Sequence, residues 1–347
     1  MLKHALLAAC TLATVVLGYV AQAQATAPGS NGRIVFRRYS DAARTAGALF
    51  TVTPAGKQVR RLTRPGRGVQ DTEPDWSPDG ERIAFERRFP CPAGGSRDGL
   101  DNTCTVVDTI GANGKGLKQL VPCGFDVRSP YPGTCVGVHT PSWSPEGSRL
   151  AFQYSLVDPA YTGSLNVQAG IWIVDANGSD LHQVTQRAPG SSWDYGPQWS
   201  PEGTTLAFHR VNLATNHEAV FTVNVDGSGL FQVTPWELGA SGPDWSPDGQ
   251  WIVFGASPGD GSVNVYKAHP NGSGLTNLTN ERPDGHQYLS SSFSPDGRMI
   301  VTARTPGTTP EGNADVYVMR ADGTGIRPVT RTTRWESGAD WGPTPLR

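Results

Sequence analysis

The chain has 347 residues, with 42 Gly, 28 Pro, only 3 Met and 17% charged side chains. That composition is turn-rich and too apolar for disorder, and its length suits one large all-β domain. A net charge of −2, with the arginines scattered, gives no electrostatic basis for binding nucleic acid or an anionic membrane surface.

Residues 1–25 have the pattern of a signal peptide. Lys3 and His4 precede an almost wholly apolar run over 5–20, and Ala21-Gln22-Ala23 and Ala23-Gln24-Ala25 suit cleavage after Ala23 or Ala25. The run is short for a membrane span. Leu7-Ala8-Ala9-Cys10 fits a lipoprotein box only superficially, because almost no apolar core precedes it. The expected product is secreted or periplasmic, with no membrane insertion after cleavage.

The mature chain, 26–347, opens on Asn31-Gly32-Arg33-Ile34-Val35-Phe36, the back half of a motif. The whole motif follows as Pro74-Asp75-Trp76-Ser77-Pro78-Asp79-Gly80 with Ile83-Ala84-Phe85, and returns at 141–152, 197–208, 243–254 and 291–302. Its front half alone, Ala339-Asp340-Trp341-Gly342-Pro343, closes the chain. The anchoring aromatics Trp76, Trp143, Trp199, Trp245, Phe293 and Trp341 are separated by about 46 to 67 residues, the period of propeller blades. Ser-Pro-Asp-Gly has type I turn preferences, so the aromatic and the following Ile/Leu–Phe pair belong to adjacent antiparallel strands. Their large apolar area suits packing between blades.

A second signature, strand–hairpin–strand ending in Thr, lies between the copies, as at 171–185, 220–234 and 315–330, with Asn-Gly or Asp-Gly at the hairpin. Six copies of each signature predict an all-β, six-bladed propeller of four-stranded antiparallel blades, lettered A to D outward from the channel. The N-terminal strands B, C and D join the C-terminal strand A, which closes the ring and removes its edges.

These motifs resemble the TolB-like propellers, whose repeats are also called WD40-like or PD40, over about residues 31–343. The resemblance implies an extracytoplasmic propeller that offers one face to a protein, peptide or glycan. The α/β domain that precedes the TolB propeller has no counterpart in the few residues before the first strand, so a Tol–Pal role is not implied.

Cys10 leaves with the leader. The remaining Cys91, Cys104, Cys123 and Cys135 read as two disulfides in an exported chain. Three connectivities exist, of which Cys91–Cys104 and Cys123–Cys135 each close one local loop and are favoured. No CxxC pair suits zinc.

The long D–A and B–C connections should share one face, and variable loops on a rigid scaffold are where binding usually resides. Counting five back from each anchoring aromatic brings Asp71, Asp194, Tyr288 and Glu336 to the channel mouth. Counting four back brings His139 and Tyr195, with His286 and Trp335 close by. Converging Asp71, Asp194 and Glu336 could hold a divalent cation or a polar ligand, since hard cations choose carboxylate oxygens. The same acids could instead hydrogen-bond loop backbone. Aromatics beside acids suit sugars or peptide segments. No other cofactor is expected, and no G-x-S-x-G, HExxH or phosphate loop occurs. The expected function is a monomeric, non-catalytic binding scaffold for a protein, peptide or glycan. The alternative is a channel-site carbohydrate lyase or hydrolase, with or without a metal, built on Asp71, His139, Asp194, His286 or Glu336.

Overall fold

Each Ser-Pro-Asp/Glu-Gly sequence folds as a tight turn. Gly80, Gly147, Gly203, Gly249 and Gly297 donate N–H to the carbonyls of Ser77, Ser144, Ser200, Ser246 and Ser294 at 2.8–2.9 Å. The serine also holds the strand that follows, because its buried hydroxyl accepts the N–H of the residue five positions on, as from Arg149 at 3.0 Å and Trp251 at 2.9 Å. Glycine is needed at the last turn position because its φ is +67° to +70° as the chain re-enters a strand.

The computed structural model describes residues 29–90, 103–122, 135–157, 167–186, 191–282, 285–307 and 313–345. Residues 1–25, expected to be a leader, lie outside them with Cys91 and Cys123, as does the side chain of Cys135. Six blades of four antiparallel strands result. Four are separate sheets, and blades 1 and 2 share an eight-stranded sheet through a single parallel bridge between Gly47 and Gln70. Blade 1 carries the ring closure: Asn31–Tyr39 near the N-terminus pairs with Glu336–Pro343 near the C-terminus, Ile34 opposite Trp341 and Arg38 opposite Glu336. The A strands of blades 2 to 6 are Gln70–Trp76, Cys135–Trp143, Ser192–Trp199, Ala240–Trp245 and Tyr288–Phe293.

The Thr that ends the second signature explains itself here. Most D strands have only two residues, and the Thr hydroxyl adds a bond to strand C. Thr63, Thr185, Thr234, Thr279 and Thr330 accept the backbone N–H of Leu49, Ile171, Val220, Val265 and Val316 at 2.9–3.1 Å. All six anchoring aromatics are buried, and the apolar clusters bridge neighbouring blades. Ile34 and Phe36 of blade 1 pack with Val301 and Val316 of blade 6, which seals the closure. Among the described residues the one helical element is a 3-10 turn at Trp236–Leu238, and no helix is long and apolar enough to cross a membrane.

Candidate functional site in the central channel

Every A strand carries a β-bulge three residues before its aromatic. The residue there has left-handed φ in all six blades: Glu73 +45°, Thr140 +48°, Gly196 +58°, Gly242 +60°, Ser290 +48° and Gly338 +59°. Pairing registers shift at the same points. Three of the six are not glycine, so the backbone holds a costly conformation to keep this geometry. The extra residue reverses the alternation of facing along the strand.

That reversal corrects the placement of the acids read from sequence. Asp71, Asp194 and Glu336, five back from their aromatics, are fully buried within the blades and do not converge. Each lies directly opposite an arginine two residues past the phenylalanine of strand B: Asp71 opposite Arg87, Asp194 opposite Arg210, Glu336 opposite Arg38. Arg87 grips Asp71 at 2.7 and 3.1 Å, Arg210 grips Asp194 at 2.6 and 2.8 Å, and Arg38 Nε donates to Glu336 at 2.6 Å. Bidentate pairs of this kind satisfy the carboxylate lone pairs where water cannot reach. Among the described residues no three His, Cys, Asp or Glu side chains gather to hold a metal ion.

The other sequence candidates divide. His139 Nδ1 lies 3.1 Å from the buried Glu86, which also receives Arg88 and the Thr140 N–H. Burial pushes the Glu86 carboxyl up, but His139 and Arg88 outweigh it and hold it at about 2. His286 Nδ1 meets the Thr305 carbonyl at 2.7 Å. Trp335 is capped by the Arg44 guanidinium 3.5 Å from its ring centroid. Tyr195 stacks on His209 at 5.3 Å, and burial raises its hydroxyl to about 12. Of the eight candidates, Tyr288 lines the central cavity. Cys104 is buried and disulfide-bonded, and the candidate partners lie outside the described residues or side chains.

What the channel presents is a different ring, the residue just before each aromatic: Asp75, Ser142, Gln198, Asp244, Ser292 and Asp340. Each reaches toward a neighbouring blade. Asp75 accepts the Trp143 N–H at 2.7 Å, Asp340 the Trp76 N–H at 2.8 Å, and Asp244 the Phe293 N–H at 2.7 Å. Ser142 donates to Gln198 at 2.9 Å and Ser292 to Asp340 at 2.9 Å. Burial, and then mutual repulsion, raises Asp75 well above the usual carboxylate range and lifts Asp244 to about 7. A sequence signal for this floor existed in the Pro that follows the bulge in four blades, because proline donates no N–H to a ladder.

Above the floor lies a cavity of about 500 Å³, and it is not six-fold symmetric. The residue after the strand-B phenylalanine (Thr302 takes the phenylalanine's place in blade 6) varies from blade to blade, and of the six His209 and Gly255 line the cavity. In blades 1, 2 and 4 it is Arg37, Glu86 and His209, each reaching the next blade's A strand: Arg37 to Thr72, Glu86 to Thr140, His209 to Gly242. In blade 3 it is Gln153, which donates to Ser155 at 3.1 Å. Blades 5 and 6 have Gly255 and Ala303 instead. The cavity spreads there, past Gly255, Ser257 and Val263 to Tyr288 and Leu289. A Cβ built on Gly255 meets nothing nearer than the Ser241 carbonyl at 3.7 Å. Burial lowers His209 to about 4, so it is neutral at pH 7 and its Nδ1 accepts the Gly242 N–H at 3.4 Å. Five carboxylates line the cavity (Glu73, Asp75, Glu218, Asp244, Asp340), and no described lysine or arginine does.

The family model of the TolB β-propeller domain matches residues 129–310. The chain is 26% identical over 230 residues to the uncharacterized peptidase YuxL of Bacillus subtilis, covering 53% of this chain and 32% of that protein. It thus spans about a third of that relative's length. In structure it resembles TolB from Acinetobacter baumannii, with a TM-score of 0.64 at 17% identity over 90% of this chain and 67% of that one. Hydrazine synthase from Kuenenia stuttgartiensis matches with a TM-score of 0.66 at 13% identity, over 93% of this chain and 48% of that one. Identities this low show a shared fold alone.

Proposed function

The chain belongs to the TolB β-propeller family, and from that premise we propose that it is an extracytoplasmic, non-catalytic binding module whose central cavity takes a segment of a protein or peptide partner. The observation that carries this reading is the one-sided cavity. Where blade 4 places His209, blade 5 has Gly255, and beside it lies a partly enclosed cavity of about 500 Å³ whose wall is more apolar than polar, set in a rigid ring. Concave sites with a few placed polar groups are where ligands bind. The bulged floor holds its carboxylates and backbone in a fixed arrangement, so little ordering entropy is lost on binding.

This reading has better support than a channel-site lyase or hydrolase built on Asp71, His139, Asp194, His286 and Glu336. The acids of that set are engaged by arginines and its histidines by Glu86 and Thr305. The disulfide at Cys104 supports an oxidising compartment, periplasmic or extracellular.

The test is a thermal-shift screen of short peptides, glycans and divalent cations against the wild type and Gly255→Gln. Glutamine at 255 copies what blade 3 has at Gln153 and fills the cavity without touching the core. Peptides that stabilise the wild type and not Gly255→Gln support the reading. Stabilisation equal in both proteins, or confined to glycans or cations, contradicts it.

A further inference from the structure

Between blades 4 and 5 the central cavity adjoins a second cavity of about 280 Å³, and Glu218, Gly239 and Ser257 line both. The notch is built by the chain's own geometry. Trp236–Leu238 forms a 3-10 turn closed by Gly239 at φ +59°, whose N–H returns to the Trp236 carbonyl. Gly239 then runs hard against blade 5: Ser257 N–H donates to its carbonyl at 3.1 Å, and a Cβ at 239 would sit 2.4 Å from the Ser257 carbonyl. Glycine is therefore required there.

Half-buried Trp236, propped against Phe221 at 5.5 Å between ring centroids, lines this notch together with the carboxylate residues Glu218 and Glu237. Glu237 is exposed, and Glu218 is partly covered and hydrogen-bonded to Ser241. No described lysine or arginine lines either cavity. An indole and two carboxylates lining one cavity attract an ammonium or guanidinium group through the ring quadrupole and through charge.

We propose that the partner segment is an extended, cationic peptide that fills the central cavity and leaves it radially through the notch between blades 4 and 5, with a lysine or arginine side chain over Trp236 between Glu218 and Glu237. The proposal rests on the central cavity being the binding site. It adds the charge of the ligand and the direction of its exit. An extended chain advances about 3.3–3.6 Å per residue and puts alternate side chains on one face, so one side chain can enter the floor ring while a later one reaches Trp236.

The experiment is fluorescence anisotropy with dye-labelled hexalysine, hexaglutamate and a Gly-Ser hexapeptide, on the wild type, Gly255→Gln, Glu237→Lys and Trp236→Ala. Glu237 is exposed and makes no core contact, so its variant keeps the question answerable if Trp236→Ala unfolds. Hexalysine is expected to bind the wild type alone among the three peptides, and more weakly as salt is added. Affinity should fall about tenfold or more in Glu237→Lys and in Gly255→Gln. Hexalysine that does not bind, or that binds Glu237→Lys as it binds the wild type, overturns the proposal. If the neutral or acidic peptide binds in a Gly255-dependent way, the central-cavity reading stands and the cationic path falls. If hexalysine binding is lost in Glu237→Lys but unchanged in Gly255→Gln, the notch binds by itself and the continuous path is overturned.

Discussion

The two sides of the channel are made by the same repeat and differ at a few positions per blade. In blades 1 to 4 the position past the strand-B phenylalanine carries Arg37, Glu86, Gln153 and His209, and blade 4 adds the buried ion pair Asp194–Arg210. Around blades 5 and 6 the equivalents are Gly255 and Ala303, and blade 5 replaces the ion pair with Ala240 opposite Ala256. Repetition thus fixes the ring, and departure from repetition makes the cavity.

The largest expected effect breaks the closed side. Arg210→Ala leaves Asp194 buried without its cation and should cost about 3–5 kcal/mol of unfolding free energy, read by urea denaturation. The double variant Asp194→Ala, Arg210→Ala should recover part of that loss, because blade 5 already carries Ala240 and Ala256 at the same places. A double variant no better than the single one would contradict the pairing.

The next contrast is in pH. Asp244 on the open side has a folded value of about 7, raised chiefly by burial, above its unfolded value of about 3.9. Its contribution to stability is therefore full below about pH 4 and is lost as pH rises through about 7. Asp244→Asn should flatten that decline, an effect on the order of a few kcal/mol across the window. Glu86 on the closed side runs the other way. Its folded value of about 2 lies below the unfolded one, so its contribution is present above about pH 4 and is lost as pH falls toward 2. Glu86→Gln should accordingly destabilise at neutral pH and lose that effect in strong acid. Denaturation midpoints taken from pH 3 to pH 8 on both variants check the opposite signs, and parallel profiles would refute them.

Much of the fold is legible in the sequence. The Trp-Ser-Pro-Asp-Gly copies predict the turns, and the split copy at Asn31–Phe36 and Ala339–Pro343 predicts the closure that Ile34 and Trp341 make. The site is harder to read. Counting back from the tryptophans assumes an unbroken alternation along strand A, and the bulge at Glu73 and its five equivalents breaks it. The count therefore sends Asp71, Asp194 and Glu336 to the channel, while Asp75, Asp244 and Asp340 occupy it. Arginine two residues past Phe36, Phe85 and Phe208, in the three blades whose A strand carries those acids, is the available warning of cross-strand ion pairs. The notch is not legible at all, since it depends on how closely Gly239 passes Ser257.

The smallest expected effect on stability belongs to the change with the greatest consequence for binding. Gly255 lies in a strand interior with space at its Cβ, so Gly255→Ala and Gly255→Gln should each alter unfolding free energy by less than about 1 kcal/mol. The most direct test of a one-sided channel site is calorimetric titration of the best peptide from the screen into these two variants and the wild type. The account predicts near wild-type affinity for Gly255→Ala and a loss of about tenfold or more, some 1.4 kcal/mol, for Gly255→Gln. Equal affinity in all three proteins would contradict it.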